Sequence, residues 1–243
     1  MDSARLACVA ALLAGAAGCS VNVGDGPRAS VGSMKHETRS VERSVAAKAE
    51  QVGVEIRMGA GELTVEGGAK QLMEGEFDYN VPEWKPEVRY EGAGGFRGKL
   101  LVRQGGGSVT LGDVTNRWRL KLAEDVPMEV AVHCGAGENK LNLSTLDLRR
   151  AEVHMGAGRV EMDLRGQPRH DLTVDINGGV GEAQIRVSRD ANVVATAKGG
   201  LGEIDVTGME KRGGEYVTEK KMAKATLRLN VRGGIGRIEI RAE

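Results

Sequence analysis

The sequence has few aromatic residues, little proline and no excess of charge. Two Trp, three Tyr and two Phe in 243 residues leave the core to aliphatic side chains. Lys and Arg together number 34, as do Asp and Glu, and this balance argues against a nucleic-acid-binding protein, which normally carries a basic excess. Glycine is abundant, with 36 residues. Glycine and proline together nevertheless stay below the roughly 25–30% of a disordered low-complexity chain. The composition therefore predicts an ordered, turn-rich protein with an aliphatic core.

The N-terminal region lacks a hydrophobic run long enough to cross a bilayer. Residues 6–18 carry no charge, but they fall short of the roughly 20 residues that a transmembrane helix needs. They suit the apolar region of a secretory signal, and residues 16–19, Ala-Ala-Gly-Cys, resemble a bacterial lipobox. The resemblance implies that residues 1–18 are a signal peptide and that Cys19 is lipidated. The protein would then be anchored to a membrane of the bacterial envelope, on its periplasmic or cell-surface face.

Cysteine usage predicts a protein without intramolecular disulfides. Cys8 would leave with the signal peptide and Cys19 would be acylated, so that Cys134 remains alone. Residues 19–36 are rich in Ser, Gly and Val without a clear period, and we expect a flexible tether there. A tether of this length reaches about 20–25 Å, which holds a folded domain of residues 37–243 just clear of a membrane surface.

A repeat built on a glycine pair runs through residues 37–243. In each copy an alternating apolar segment meets Gly-x-Gly, and a second alternating segment follows it. The first glycines fall at positions 59, 105, 135, 156, 179, 200 and 234, of which 105 belongs to a degenerate copy. The central copies lie 21–23 residues apart. Alternation with a period of two is typical of β-strands.

This pattern predicts an all-β protein with a single β-solenoid, whose coils of 21–23 residues stack in chain order around one aliphatic core. Alternation places Met155 inside and His154 outside. It also predicts a solvent-facing polar row, formed by Arg57, Arg103, His133, His154, Asn177, Lys198 and Arg232. On the following segments we expect Glu138 to pair with Arg159 on the next coil.

Several sequence blocks resemble the bacterial toast-rack family. They are residues 57–63, 74–80, 84–90 and 116–118, together with the Gly-Ala-Gly and Gly-Gly-[Val/Leu/Ile]-Gly repeats. The resemblance covers about residues 37–243. It implies a β-solenoid domain related to the C-terminal domain of LiaF-type envelope-stress regulators, and a location in the cell envelope. It brings no catalytic residues with it.

The repeat surfaces offer little for catalysis or metal binding. His133 and His154 occupy equivalent positions on neighbouring coils, but a metal site normally needs a third or fourth ligand. We therefore interpret them as part of a solvated polar row, and Cys134 as a small core residue. Carboxylates at the positions five and seven residues beyond each first glycine do not fall on adjacent coils. The sequence thus predicts no enzyme, no metal and no cofactor.

Residues 74–98 are the main irregularity, because five of the seven aromatic residues lie there. One interpretation is a cap that covers the open end of the solenoid. The other is a surface that stacks on glycan rings or contacts a protein partner. The candidate contact residues are Phe77, Tyr79, Trp84 and Tyr90, with Phe96 in the same segment. Residues 209–224 are expected to form a projecting loop or a cap at the other end.

We predict from these features a non-enzymatic, membrane-anchored envelope lipoprotein. Its solenoid would serve as a structural or protein-interaction module, with envelope-stress sensing as a specific role. Its partners would be the membrane, through the N-terminal lipid, and an envelope protein or glycan, but not nucleic acid. The alternative is a carbohydrate-binding or carbohydrate-processing protein of the cell surface, which adjacent exposed carboxylates or a grooved aromatic platform would favour.

Overall fold

The computed structural model describes residues 31–93, 97–107, 113–218 and 225–243. Within them lie two short 3₁₀ turns, at Arg43–Ala46 and Pro82–Trp84, and neither is long or apolar enough to cross a membrane. The predicted signal peptide and Cys19 lie outside the described residues. The strands in the described residues are β1 (Lys35–Val41), β2 (Gln51–Gly67), β3 (Met73–Tyr79), β4 (Pro86–Ala93), β5 (Arg97–Gln104), β6 (Asn116–Leu122), β7 (Met128–Asn142), β8 (Leu148–Leu164), β9 (Leu172–Val187), β10 (Asn192–Thr207), β11 (Glu210–Arg212), β12 (Glu215–Thr218) and β13 (Thr226–Ala242).

The six long strands β2, β7, β8, β9, β10 and β13 are the regular coils, which confirms the predicted β-solenoid. They pair in parallel, with equivalent residues of the repeat in register. Each strand is divided by its glycine pair into a first arm and a second arm. The apolar residues of both arms belong to one continuous core of Val, Ile, Leu and Met side chains. Burial of one such side chain contributes about 1.5–3 kcal/mol, so the core is the main source of stability.

The prediction that coils stack in chain order is wrong at both ends of the solenoid. Strands β5 and β6 form a split coil that lies on the outer side of β2 rather than between β2 and β7. The last strand, β13, lies between β9 and β10. The hairpin of β11 and β12 lies between β10 and β13 in the chain, which then turns back so that β13 pairs between β9 and β10. The degenerate copy at Gly105 is therefore part of the split coil.

A row of side-chain hydrogen bonds links the coils in this non-sequential order. The Thr196 hydroxyl of β10 donates to Asn230 Oδ1 of β13 at 2.9 Å. The Asn230 amide donates to Asp175 Oδ1 of β9, also at 2.9 Å. These bonds connect β9 to β10 only through β13. The row is partly buried, so each bond contributes about 0.5–1.5 kcal/mol to the observed order.

The glycine pairs are required because neighbouring coils approach each other closely at the corner. Gly158 has a φ of 124°, which side chains rarely allow. A Cβ atom there would also collide with the carbonyl of Gly137 on the coil below. The same collision recurs along the stack from Gly181 to Gly158 and from Gly236 to Gly181. The first glycines of the pairs are similarly restricted, since a Cβ at Gly156 would meet the carbonyl of Gly135.

The predicted alternation of inward and outward side chains is confirmed. Met155 is 7% exposed and belongs to the core, whereas His154 is exposed. The predicted ion pair between Glu138 and Arg159 is not formed. The two residues are in register, but Arg159 turns to the coil on its other side and pairs with Glu182 at 3.2 Å.

Short antiparallel strands cover the ends of the stack. At the N-terminal end, β3 pairs with β6, β1 pairs with β3, and β4 pairs with β5. At the other end, β12 pairs with residues 193–195 of β10. The hairpin of β11 and β12 is thus the C-terminal cap element expected for residues 209–224, of which 219–224 lie outside the described residues. Such covers protect sheet edges from uncontrolled pairing.

The corner constraint predicts a graded response to alanine. Gly158→Ala should lower the free energy of unfolding by more than about 2 kcal/mol, because strain at φ adds to a backbone collision. Gly213 has a φ of 61° but open space around it. Gly213→Ala should therefore lower the free energy of unfolding by about 1 kcal/mol. Gly106 has open space around it and no positive φ of this kind. Gly106→Ala should therefore change the free energy of unfolding by about 0.5 kcal/mol or less. Chemical denaturation of the three variants measures these differences, and equal losses for Gly158→Ala and Gly106→Ala would contradict the constraint.

The alternation of inward and outward side chains along β8 predicts opposite outcomes for substitutions at two adjacent positions. Met155→Asp places a carboxylate in the core and should cost several kcal/mol or prevent folding. His154→Asp adds the same charge on the outer face and should change stability by about 0.5 kcal/mol or less. Thermal melts of both variants measure the difference, and similar losses would refute the register.

Candidate functional site

The aromatic segment folds as the cap on the N-terminal end of the solenoid. Phe77 lies on β3 directly opposite Trp118 of β6. The two ring centroids are 5.3 Å apart with an interplanar angle of 80°, which is an edge-to-face contact. Both side chains are fully buried. Phe77 therefore packs within the protein and presents no ring face to solvent.

Trp84 packs where the regular coils would place another glycine corner. It belongs to the Pro82–Trp84 turn, and its indole N–H donates to the Gly107 carbonyl at 3.0 Å. A Cβ at Gly105 would collide with the Glu83 carbonyl of the same turn. The glycines of the degenerate copy thus make room for this turn instead of another coil. Trp84 and Val81 form a small buried cluster of their own.

Tyr79 is buried, and its hydroxyl donates to Glu37 Oε1 at 2.6 Å. Burial and this hydrogen bond raise the pKa of Tyr79 to about 12. The same hydrogen bond is the largest cause that lowers the pKa of Glu37, and Arg39 and Lys85 add to it. The Lys85 ammonium lies 3.6 Å from Glu37 Oε1. The cluster joins β1, β3 and the Pro82–Trp84 turn, so its polar contacts hold the cap together.

Tyr90 is the one candidate aromatic residue of the described cap that is half-exposed. It lies on β4 opposite Leu100 and leans over Gly98 of β5, where a Cβ would meet its ring. Part of the ring packs against the core. Phe96 lies outside the described residues.

The structure therefore gives Phe77, Tyr79 and Trp84 a packing role in the free protein. Contact of these rings with a partner stays a prediction, and Tyr90 is the residue that offers ring surface to one. The four side chains share one end of the solenoid but do not line a common groove, because three of them are buried.

His133 and His154 form the stacked pair expected from the repeat. Their ring centroids are 5.1 Å apart and the rings are nearly parallel, with an interplanar angle of 3°. No group of three or more His, Cys, Asp or Glu side chains suited to a metal ion occurs in the described residues. Cys134 is a buried free cysteine, and burial raises the pKa of its thiol. A protonated, buried thiol is a poor nucleophile.

One expectation about carboxylates is wrong, since two of them do fall on adjacent coils. Because β13 lies beside β10, Glu239 and Asp205 are register partners on adjacent coils. Glu239 is nevertheless buried and accepts hydrogen bonds from Arg241. A buried carboxylate that is paired with arginine is not free to act as an acid or base, so this pair does not form a catalytic dyad.

Sequence reasoning missed an exposed apolar patch at the corner of the last three coils. The middle residue of the glycine motif is alanine in β2, β7 and β8, but a large aliphatic residue in β9, β13 and β10. Val180 and Ile235 are each 53% exposed, and Leu201 is 70% exposed. The change from Gly-Ala-Gly to Gly-Gly-[Val/Leu/Ile]-Gly was the signal in the sequence. The strand register makes the three residues neighbours on adjacent coils.

The chain is similar to one protein family and to several solved structures. The family model described as the N-terminal domain of toast_rack, DUF2154, matches residues 30–186. A crystal structure from Clostridium sporogenes, named as a "putative cell adhesion protein", is 32% identical with a TM-score of 0.81, and the match covers 87% of this chain and all of that one.

A "putative adhesin" from Bacteroides fragilis is 8% identical with a TM-score of 0.31, over 86% of this chain and 97% of that one. No curated protein matches the sequence. The family match spans more than half of the chain, and the glycine corners of β2, β7, β8 and β9 and the aromatic cap lie within it. The chain therefore belongs to the toast-rack family.

Proposed function

We propose that the protein is a non-enzymatic structural or protein-interaction module on the surface of the bacterial cell envelope. The observation that carries the proposal is the similarity to the Clostridium sporogenes protein named for cell adhesion, which this chain matches over that protein's whole length. Envelope-stress sensing is the specific role that the family resemblance suggests for such a module.

The described surface supports a binding role over catalysis. The outer faces of the coils carry charges that are paired along or between strands, such as Arg150 with Glu152 and Asp175. Arg117 and Glu62 likewise pair at 2.7 Å. Exposed pairs of this kind stabilise little, at about 0.2–1 kcal/mol each. They leave a rigid, mixed-charge sheet suited to presenting specific contacts at its ends.

The alternative, a carbohydrate-binding or carbohydrate-processing protein, gains no support from the described residues. Processing would need exposed carboxylates in a cleft. In the adjacent pair of Glu239 and Asp205, Glu239 is buried and held by Arg241. Binding would favour an open aromatic platform, and three of the four candidate rings are buried. Glycan capture is therefore an outcome that the experiment below distinguishes from protein capture.

Lipid anchoring at Cys19 is part of the proposal and rests on the small-residue run that precedes it. Metabolic labelling with a palmitate analogue should label the full chain in its bacterial host. Cys19→Ala should lose the label and leave the membrane fraction. Cys8→Ala is the matched control and should keep both properties, because Cys8 lies in the predicted signal peptide. Equal labelling of the wild type and Cys19→Ala would rule the anchor out.

Partner contact through the cap predicts a difference between two half-buried tyrosines at opposite ends of the protein. Crosslinking on intact cells should yield a specific, protease-sensitive adduct with the wild type. Tyr90→Ala should reduce the adduct several-fold, because an aromatic anchor at an interface is commonly worth 2 kcal/mol or more. Tyr216→Ala, in the opposite cap, should leave it unchanged.

Melting curves of the two variants serve as the control for folding. A glycosidase-sensitive adduct would favour the alternative function. The absence of any adduct above that of a deletion strain would contradict an interaction role.

A further inference from the structure

Among the residues that the structure describes, the C-terminal end of the solenoid carries a sheet edge that is unpaired along most of its length. Strand β10 pairs with β13 on one side along residues 192–207. On its other side β12 covers only residues 193–195. Within the described residues, the edge from Thr196 to Thr207 therefore has no partner strand. Such an edge exposes backbone N–H and C=O groups that can pair with another chain.

Apolar side chains accompany this free edge. Leu201 and Ile204 of β10 are 70% and 38% exposed, and Ile235 and Val180 continue the patch along the corner. In the earlier coils the inward corner position holds Met58, Cys134 or Met155. In the last three coils it holds glycine, which leaves an apolar hollow beside Leu201 and Ile204. Exposed apolar clusters of this kind are typical of interaction sites.

Two charges on the edge have no ion-pair partner among the described residues, whereas Glu203 of the same strand pairs with Arg237. Lys198 lies in register with Arg232, and Asp205 lies in register with Glu239. Each therefore faces a neighbour of like charge. Neither Lys198 nor Asp205 forms an ion pair with another described residue. The two unpaired charges have opposite signs and flank the Gly200–Gly202 corner at similar distances along the strand.

We propose that the β10 edge pairs with the β10 edge of a second copy of this chain in an antiparallel, two-fold symmetric dimer. The axis passes through the corner between Leu201 and Gly202. This places Thr196 opposite Thr207 of the partner, and Lys198 opposite Asp205 of the partner. In β10 the inward residues have odd numbers before the corner and even numbers after it. Both residues of each of these pairs therefore face outward.

The same register fits the inward side chains. Ala197 lies opposite Val206 of the partner, and Gly199 lies opposite Ile204 of the partner. The partner's Ile204 then packs over Gly199 beside the chain's own Ile204, whose Cδ1 lies 3.6 Å from where a Cβ of Gly199 would stand. The patch of Leu201 and Ile204 is thereby covered in both copies. The contact is isologous, as a two-fold axis requires. The opposite end of the solenoid presents the short strands β1 and β4 rather than a full-length coil, so a head-to-tail contact would not match the glycine corner of β10.

A charge swap tests this register. Sedimentation equilibrium of the full chain carrying Cys19→Ala, which avoids acylation, should show a monomer–dimer equilibrium. Lys198→Glu should weaken dimerisation about tenfold or more, because two carboxylates would then face each other across the axis. Asp205→Lys should do the same with two ammonium groups. The double variant Lys198→Glu/Asp205→Lys restores opposite charges and should return the dissociation constant to within a few-fold of the starting value.

Misfolding does not account for the expected losses, since each single change places an opposite charge beside its neighbour within the chain, Arg232 or Glu239. Unchanged melting temperatures of the single variants check this. Glu62→Lys, on the outer face far from β10, is the control for a general charge effect and should leave dimerisation unchanged. A strictly monomeric protein at all concentrations, or a dimer that ignores both single reversals, would overturn the proposal. The proposal does not depend on lipidation or on the partner bound by the cap.

Discussion

The close approach of backbones at the glycine corner is the constraint on which the rest of the structure depends. At this corner the carbonyl of one coil occupies the space where the next coil would carry a Cβ. Only glycine pairs can therefore stack there, and every regular coil must present its pair in register with its neighbours. The register then fixes which side chains enter the core and which align in rows on the outer faces.

The same constraint explains how each end of the stack is finished. At the N-terminal end, Gly105 accepts the backbone of the Pro82–Trp84 turn, and the aromatic cap closes the core over Phe77 and Trp118. At the C-terminal end, β12 covers only part of β10. No described residue covers the corner of β10 beside Leu201, so the two ends differ in what they can bind. The N-terminal end is closed by side chains of its own chain, and the C-terminal end offers a strand edge.

The repeat was predictable from sequence because its causes are local. The spacing of the glycine pairs marks the corners, and alternation within each arm separates Met155 from His154 without knowledge of the neighbours. The order of the coils was not predictable in this way. The sequence of β13 does not show whether this strand pairs beyond β10 or between β9 and β10, because β9 and β10 carry the same glycine pair. That order alone puts Leu201 of β10, rather than Ile235 of β13, on the edge strand of the described stack. Likewise, the burial of Tyr79 depends on β1. The polar sequence of β1 gave no sign that Glu37 would accept a hydrogen bond from the Tyr79 hydroxyl.

The position of β13 between β9 and β10 decides which strand lies at the edge, and engineered disulfides test it directly. Asn177→Cys combined with Arg232→Cys places two thiols on register partners of β9 and β13, within the Cα separation of about 4.4–6.8 Å that a disulfide needs. Asn177→Cys combined with Lys198→Cys places them on strands that are consecutive in sequence but separated by β13. We expect a rapid intramolecular disulfide in the first double variant and none in the second. A disulfide that forms in the second variant and not in the first would show that the coils stack in chain order.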